Sequence, residues 1–347
     1  MISIDEKQSK EYLCARPPSS ASEYYAFTNN AYLGRKKTKI HRLTNALITI
    51  DYRTRRKYKF TISDADGRWI TGEWASDYVS PADNITYIDE RVAFIEDRFT
   101  KFNICHFLFD KMGRTVEFSD YAVDSYFLFS EHEYYEKVLS LLGLKQTVLI
   151  ENDENIVTYR IKELLVSSST FEVNHPGKNF RPDVIEMLEE LRHLVLSDSI
   201  PSKPNKRIFV NRRSGSVRDV INKDTFNEIL SEFGFSIVDF EDHSFAEQAK
   251  IVQSADIMLG VHGAGLTNAL FFRDSSFKLL EILPPLCATA VYWKLAQALG
   301  FQYDAFISRD TEIETPDYTD WKHDRKLNNR DIIVDENEFR VFLKKHL

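Results

Sequence analysis

Cysteine is scarce in this chain: Cys14, Cys105 and Cys287 are the only three in 347 residues, and no CxxC pair occurs. Three widely spaced thiols cannot all pair with one another, and their spacing does not fit a zinc site. Long apolar runs are missing as well. No uncharged stretch approaches the roughly 18–20 residues that a membrane span needs. The opening MISIDEKQSK lacks the apolar segment of a secretory leader. A reducing cytoplasm is the simplest compartment consistent with these absences. Basic excess is lacking too. A formal net charge of −8 disfavours non-specific attraction to nucleic acid, so no nucleic-acid partner is expected. Three short signatures are also absent: the dinucleotide GxGxxG, the phosphate-binding GxxxxGK[ST] and the GxSxG nucleophile elbow. The last excludes esterase chemistry, although HGAG at 262–265 resembles an esterase oxyanion loop.

What is present reads as an α/β protein. At this length two domains are expected. The regular part begins at RIFVNRR (207–213), a strand, followed by DTFNEILSEFGF (224–235), a helix. SIVDFED (236–242), IMLGV (257–261), KLLEIL (278–283) and YDAFI (303–307) read as further strands. SFAEQAKIVQSAD (244–256), LTNALFF (266–272) and AVYWKLAQALGF (290–301) read as the helices between them. Such alternation means stacked βαβ units and a parallel sheet. SDSIPSKPNK (197–206) is a linker by composition. Upstream, RVAFIED and TVLIEND suggest strands, while NICHFLFDKM, YYEKVLSLLGL and PDVIEMLEELRHLVL have helical spacing. ALITIDY and YKFTIS suggest a hairpin. The expected organisation is therefore a β-rich portion (1–80), an α/β domain (81–196), the linker, a second α/β domain (207–330), and a C-terminal helix (331–347) packing back on the N-terminal domain.

Glycine is scarce as well, and it is unevenly placed. Three of only 12 glycines, Gly260, Gly263 and Gly265, surround His262. The loop follows one strand and precedes a helix, which is where open α/β sheets bind ligands. Glycine permits sharp turns and close approach to the main chain, and N–H groups at the start of the next helix, from Gly265, Leu266 and Thr267, suit an anion. The helix dipole supplies only about 0.3–1 kcal/mol, or about 2 when partly buried, so a diphosphate needs cations as well. Six basic residues and no acid lie between Lys203 and Arg218. Arg212, Arg213 and Arg218 follow the first strand of the domain, and guanidinium forks match phosphate oxygens. The competing reading is a solvated basic loop. Glu281 at the next strand end is either a hydrogen-bond acceptor for ribose hydroxyls or a solvated strand end. Gln248 is expected to brace its helix.

IFVNRRSGSVRDVIN, FAEQAKIVQSADIMLGVHGAGLTNALFF, LLEILPP and, upstream, NICHFLFD together resemble the family 61 glycosyltransferases, also described as capsular polysaccharide biosynthesis-type proteins. The likeness runs over roughly 85–310. It implies a GT-B-like fold, two Rossmann-like domains facing a cleft, and inverting, metal-independent transfer from a nucleotide sugar, commonly UDP-linked, to a glycan or lipid-linked glycan acceptor. It maps His262, Gly263, Ala264, Gly265, Leu266, Thr267 and Asn268, with Arg212, Arg213 and Arg218, onto donor binding. Asn103, His106 and Asp110 map onto the acceptor side. Asn211 stands where relatives often carry serine. No cofactor is implied.

Inverting transfer needs a base for the acceptor hydroxyl. His106 and Asp110, four apart on a presumed helix, share one face: Asp110 either orients the His106 ring or is itself the base, and a core histidine is the plain alternative. His262 is a neutral hydrogen-bonding ring, a cation balancing diphosphate charge, or a structural residue of a tight turn. Asp64-Ala65-Asp66 spells the metal-binding DxD, but it precedes Gly67 and is read as a turn. Residues 35–59 hold ten basic side chains against only Asp51. That is either a peripheral contact with an anionic membrane surface, at the inner face, or the solvated faces of a hairpin. Two other functions stay open: a non-catalytic nucleotide-sugar-binding scaffold, and a pyruvyl or phosphoglycosyl transferase.

Overall fold

The alternation in the C-terminal half becomes five parallel strands. In the computed structural model the described residues are 2–8, 12–13, 32–33, 37–53, 59–68, 78–96, 103–129, 132–147, 155–168, 180–196, 206–212, 217–285, 289–310 and 329–347. They divide between two compact units, one within 1–11 and 34–191, the other within 12–33 and 192–347.

The N-terminal unit is built on one mixed sheet. Its strands are β1 (Ile2–Gln8), β2 (Lys37–Asp51), β3 (Lys59–Ser63), β4 (Ile85–Phe94), β5 (Ser125–Phe127) and β6 (Ile156–Ser167). The order is β1-β2-β6-β4-β5, with β3 also paired to β2. The β2 pairings with β1, β3 and β6 are antiparallel, and only β4 pairs in parallel, with β5 and β6. Strands expected in a separate β-rich portion thus share a sheet with those of 81–196, and the described strands do not form a purely parallel Rossmann-like sheet. The expected hairpin of ALITIDY with YKFTIS is the β2–β3 pair. Most of TVLIEND lies outside the described residues. Ala46, Ile48, Ile50, Phe94, Phe127 and Ile161 fill the core on one face. Helix α1 (Glu133–Leu141) stops before Gly143, whose φ of 66° is left-handed, as a glycine after a helix end allows. Helix α2 (Pro182–Leu196) buries Val184, Met187, Leu188 and Leu191 at helical spacing.

The C-terminal unit carries β7 (Lys206–Val210), helix α3 (Lys223–Glu232), β8 (Phe235–Val238), helix α4 (Phe245–Gln253), β9 (Ala255–Val261), β10 (Lys278–Leu283), helix α5 (Val291–Leu299) and β11 (Gln302–Ile307). All pairings are parallel, in the order β8-β7-β9-β10-β11. Counted along this unit the order is 2-1-3-4-5, a doubly wound sheet whose switch point lies between β7 and β9. Phe226, Ile229 and Leu230 of α3 pack with Phe209, Leu259 and Val261 on one face. A 3-10 helix, Ala264–Phe271, follows β9 where an α-helix was expected.

Helix α6 (Glu336–His346) places Phe339, Phe342 and Leu343 in that same core. Burying each such side chain is worth roughly 1.5–3 kcal/mol. The expectation that 331–347 packs back on the N-terminal domain is therefore corrected: its apolar stripe is buried in the C-terminal core.

Candidate functional site

The carboxyl ends of β7 and β9 meet at the switch point. Phe209 and Val261 face α3, whereas Val210 and Gly260 face the 3-10 helix, so the chain leaves these neighbouring strands toward opposite faces. The three glycines follow from contact, not from strained backbone. A Cβ at Gly260 would sit 2.7 Å from Leu266 Cδ2, and one at Gly265 would sit 2.9 Å from Val210 Cγ1. At Gly263 it would sit 1.8 Å from Arg212 Nη1. The first two let the 3-10 helix lie on the strands. The third opens the space that the Arg212 guanidinium fills.

Arg212 Nη1 donates to the carbonyl of His262 at 3.1 Å, tying the end of β7 to the glycine loop. Burial, with the Arg218 guanidinium adding to it, pushes the Arg212 pKa down to about 10. The side chain is thus a cation at neutral pH in a place that disfavours one. Nε of Arg212 and Nε of Arg218 are both buried and lack a hydrogen-bond partner among the described residues. Both arginines line a cavity of about 160 Å³, together with Asn211, Asp219, Lys223 and Asn227. Two half-buried guanidinium groups on one cavity suit an anion. Arg213 lies outside the described residues. Asn211 donates its amide to Asp239 at 2.8 Å, which gives it a structural role at the β7–β8 edge.

His262 is buried against Glu281, Nδ1 to Oε1 2.5 Å. Tyr303 donates to the other oxygen, Oε2, at 2.5 Å. Glu281 is 0% exposed with both oxygens engaged, so its expected contact with ribose is corrected: it holds the His262 ring. Tyr292 donates to the Gly263 carbonyl at 2.5 Å and stands 3.2 Å from the Thr267 hydroxyl. Asn268 donates to Gln248 Oε1 at 3.0 Å and to the Gly265 carbonyl at 3.3 Å. Leu266 donates its N–H to Gly263, and the side chains of Leu266, Thr267 and Asn268 are buried. The side chains of these three, expected at the donor, pack to shape the loop. Ala264 and Gly265 at the helix start are the half-buried members. Gln248 braces as expected, donating to the Phe240 and His243 carbonyls. Glu247 and Ser244 close a capping box at the start of its helix.

In the N-terminal unit the segment around His106 is a π-helical turn, His106–Lys111, running into a short α-helix. Such turns recur at functional sites. His106 Nδ1 lies 2.6 Å from Asp110 Oδ2. The side chain of His106 is 17% exposed and that of Asp110 0%, so a substrate can reach the ring but not the carboxylate. Asn103 Oδ1 accepts the N–H groups of Cys105 and His106 at 2.9 and 3.2 Å. It thereby caps the turn that presents His106. Beneath the dyad, Phe107 stacks on Tyr135 at 3.8 Å, and Lys111 pairs with Glu96, both fully buried. Lys111, Glu96, Tyr292 and Tyr303 were not singled out from sequence. Nothing in their spacing marks them, because each acts across elements far apart in the chain.

Asp64 and Asp66 form the expected turn: Asp64 Oδ1 accepts N–H from Asp66 and Arg68 at 3.0 and 2.8 Å, and Gly67 has φ 77°. Of the basic zone, Arg53 forks onto Asp51 and Arg42 pairs with Glu163 at 3.3 Å. Arg35, Lys36, Arg55, Arg56 and Lys57 lie outside the described residues.

A doubly wound parallel sheet with an arginine-lined crevice at its switch point is the arrangement in which α/β domains take ligands at the strand ends. The sequence profile described as glycosyltransferase 61 matches residues 80–277, more than half of the chain, and the chain belongs to that family. It is similar to the EGF domain-specific O-linked N-acetylglucosamine transferase of Mus musculus, 31% identical over 120 residues, which are 33% of this chain and 22% of the mouse protein. The Drosophila melanogaster protein of that name is 33% identical over 119 residues, 32% of this chain and 22% of its own length. The xylan glycosyltransferase MUCI21 of Arabidopsis thaliana is 31% identical over 136 residues, 37% of this chain and 27% of its own length. The match spans about a quarter of the length of these curated relatives.

Proposed function

We propose that this chain transfers a sugar from a nucleotide-sugar donor, UDP-linked, to a hydroxyl of a glycan or lipid-linked glycan, with inversion and without a catalytic metal. The observation that carries the reading is that Arg212 and Arg218 line one cavity at the switch point, each with a buried Nε that lacks a hydrogen-bond partner among the described residues. The donor diphosphate lies there, against the two guanidinium groups. Arg213 belongs to the same cluster in sequence. His262, its ring fixed by Glu281, borders the loop as a further donor.

The reading assigns the acceptor to the N-terminal unit, which carries His106 and Asp110. His106 removes the proton from the attacking hydroxyl. Its oxygen forms a bond to the anomeric carbon as the bond from that carbon to the diphosphate oxygen breaks, and the nucleotide diphosphate leaves with the electron pair. Asp110 holds the imidazole and stabilises the imidazolium that forms, as carboxylates do for catalytic histidines. Asp64 accepts backbone N–H groups in a turn, which gives the DxD string a structural explanation. Synthesis of capsule or another cell-surface polysaccharide, in the cytoplasm at the inner membrane face, is the setting this chemistry suits.

Release of UDP from a panel of UDP-sugars, with a hydroxylated glycan acceptor, tests it. His106→Ala should lower turnover by roughly 10²–10⁴-fold with donor affinity kept, and EDTA should change neither. Turnover unaffected by His106→Ala would overturn the assignment.

A further inference from the structure

Arg218 has an unusual backbone. Its φ is 63°, a left-handed conformation that a residue with a Cβ adopts at a cost, and such outliers persist only where surrounding structure enforces them. What enforces this one lies more than a hundred residues away, C-terminal to the stretch that matches the family profile. The Arg218 N–H donates to the Asn329 carbonyl at 3.3 Å, Ile332 N–H to the Asp219 carbonyl at 2.9 Å, and Ile221 N–H to the Ile332 carbonyl at 3.0 Å. Asp331 Oδ1 accepts the Asp219 N–H at 2.8 Å, and Asn222 makes a two-way amide pair with the backbone of Val334. Ile332 and Val334 are buried in the C-terminal core with Val220, so the segment has a rigid backing.

We propose that residues 329–334 are a clamp that sets Arg218 toward the cavity, and that Asp331 is a positioning residue for anion binding. The inference rests on the donor-site reading above. It assigns a working part of that site to a segment outside the family match. Asp331 touches no ligand itself. It satisfies the N–H of the residue after Arg218 and thereby holds the turn in which Arg218 is left-handed. Lys223 pairs with Asp219 at 2.7 Å from the other side, so removing Asp331 leaves the turn attached but less constrained.

Calorimetric titration of inorganic pyrophosphate and of UDP into the full chain, together with its melting temperature, tests this. Asp331→Ala should weaken both ligands about tenfold with melting little changed. Asp331→Asn keeps an oxygen in the accepting position and should restore affinity to within about twofold. In an Arg218→Ala background, Asp331→Ala should cause no further loss, because its effect passes through Arg218. Unchanged affinity in Asp331→Ala, beside a clear loss in Arg218→Ala, would overturn the clamp and leave the donor site standing. A full additional loss in the Arg218→Ala background would also overturn it, since Asp331 would then act through the fold at large. No binding of either ligand by the unaltered protein would overturn the donor reading, and the clamp with it.

Discussion

At the scale of single residues, the glycine loop sorts its three glycines by consequence. Gly263→Ala puts a methyl 1.8 Å from Arg212 Nη1, so the guanidinium must leave the His262 carbonyl. UDP affinity should fall at least tenfold in a titration while the fold persists. Gly260→Ala and Gly265→Ala press on Leu266 and Val210 instead, and overpacking of that kind costs about 1–3 kcal/mol. Their effect should appear in denaturant melts, with a smaller effect on affinity. Arg218→Gly makes the opposite trade. Glycine accepts a φ of 63° without strain, and the change separates two like charges, so melting temperature should rise while UDP binding weakens. A fall in both would contradict the view that Arg218 is held in strain for binding. The clustering of Gly260, Gly263 and Gly265 was legible in the sequence, and so was its link to the arginines after β7. The reason was not, because it lies in atom-to-atom approach between strands fifty residues apart.

At the scale of elements, the π-helical turn at 106–111 presents His106, and Asn103 starts it. Asn103→Ala removes an acceptor from two N–H groups. Loss of such a cap typically costs about 1 kcal/mol, and activity should fall modestly, far less than for His106→Ala. Parallel stability and turnover measurements on the two variants would separate cap from base. Equal losses of turnover at equal stability would mean that Asn103 meets substrate after all. The elements of the C-terminal unit were legible almost throughout, since each βα repeat is local and its apolar pattern matches its period. The N-terminal unit was legible only in part: its β2–β3 hairpin and helices α1 and α2 were read, and its sheet was not. Strand β6 is covered on much of both faces, so IVTYRIKELLVS shows no clean alternation. The fifteen-residue β2 carries Asn45 at φ 52° in mid-strand, and asparagine tolerates that region. His262 was expected at the site from its loop, but its tie to Glu281 was hidden, since two strands must align before the carboxylate meets the imidazole.

At the scale of the whole molecule, a diphosphate bound in the switch-point crevice would make stability and binding respond to pH in opposite senses. Arg212 holds its proton less firmly in the fold than in the unfolded chain, with a pKa lowered to about 10 by burial and Arg218. The unfolded chain therefore binds more protons above pH 10, and by linkage the Arg212 contribution to stability rises with pH from there toward the ordinary arginine value. Below pH 10 its buried charge opposes folding. A bound diphosphate favours that same charge. The thermal shift produced by saturating UDP should hold steady between pH 7 and 9 and shrink above pH 10, and Arg212→Gln should remove that dependence.

The central claim is that a nucleotide diphosphate occupies the switch-point crevice, and thermal stabilisation by UDP in the presence of EDTA tests it most directly. At about 100 times the dissociation constant, binding to the folded form alone adds roughly 2.7 kcal/mol. The account predicts a saturable shift in the unaltered protein, unaffected by EDTA and lost in a folded Arg212→Ala variant. A shift that survives Arg212→Ala, or no shift with any nucleotide diphosphate, would contradict it.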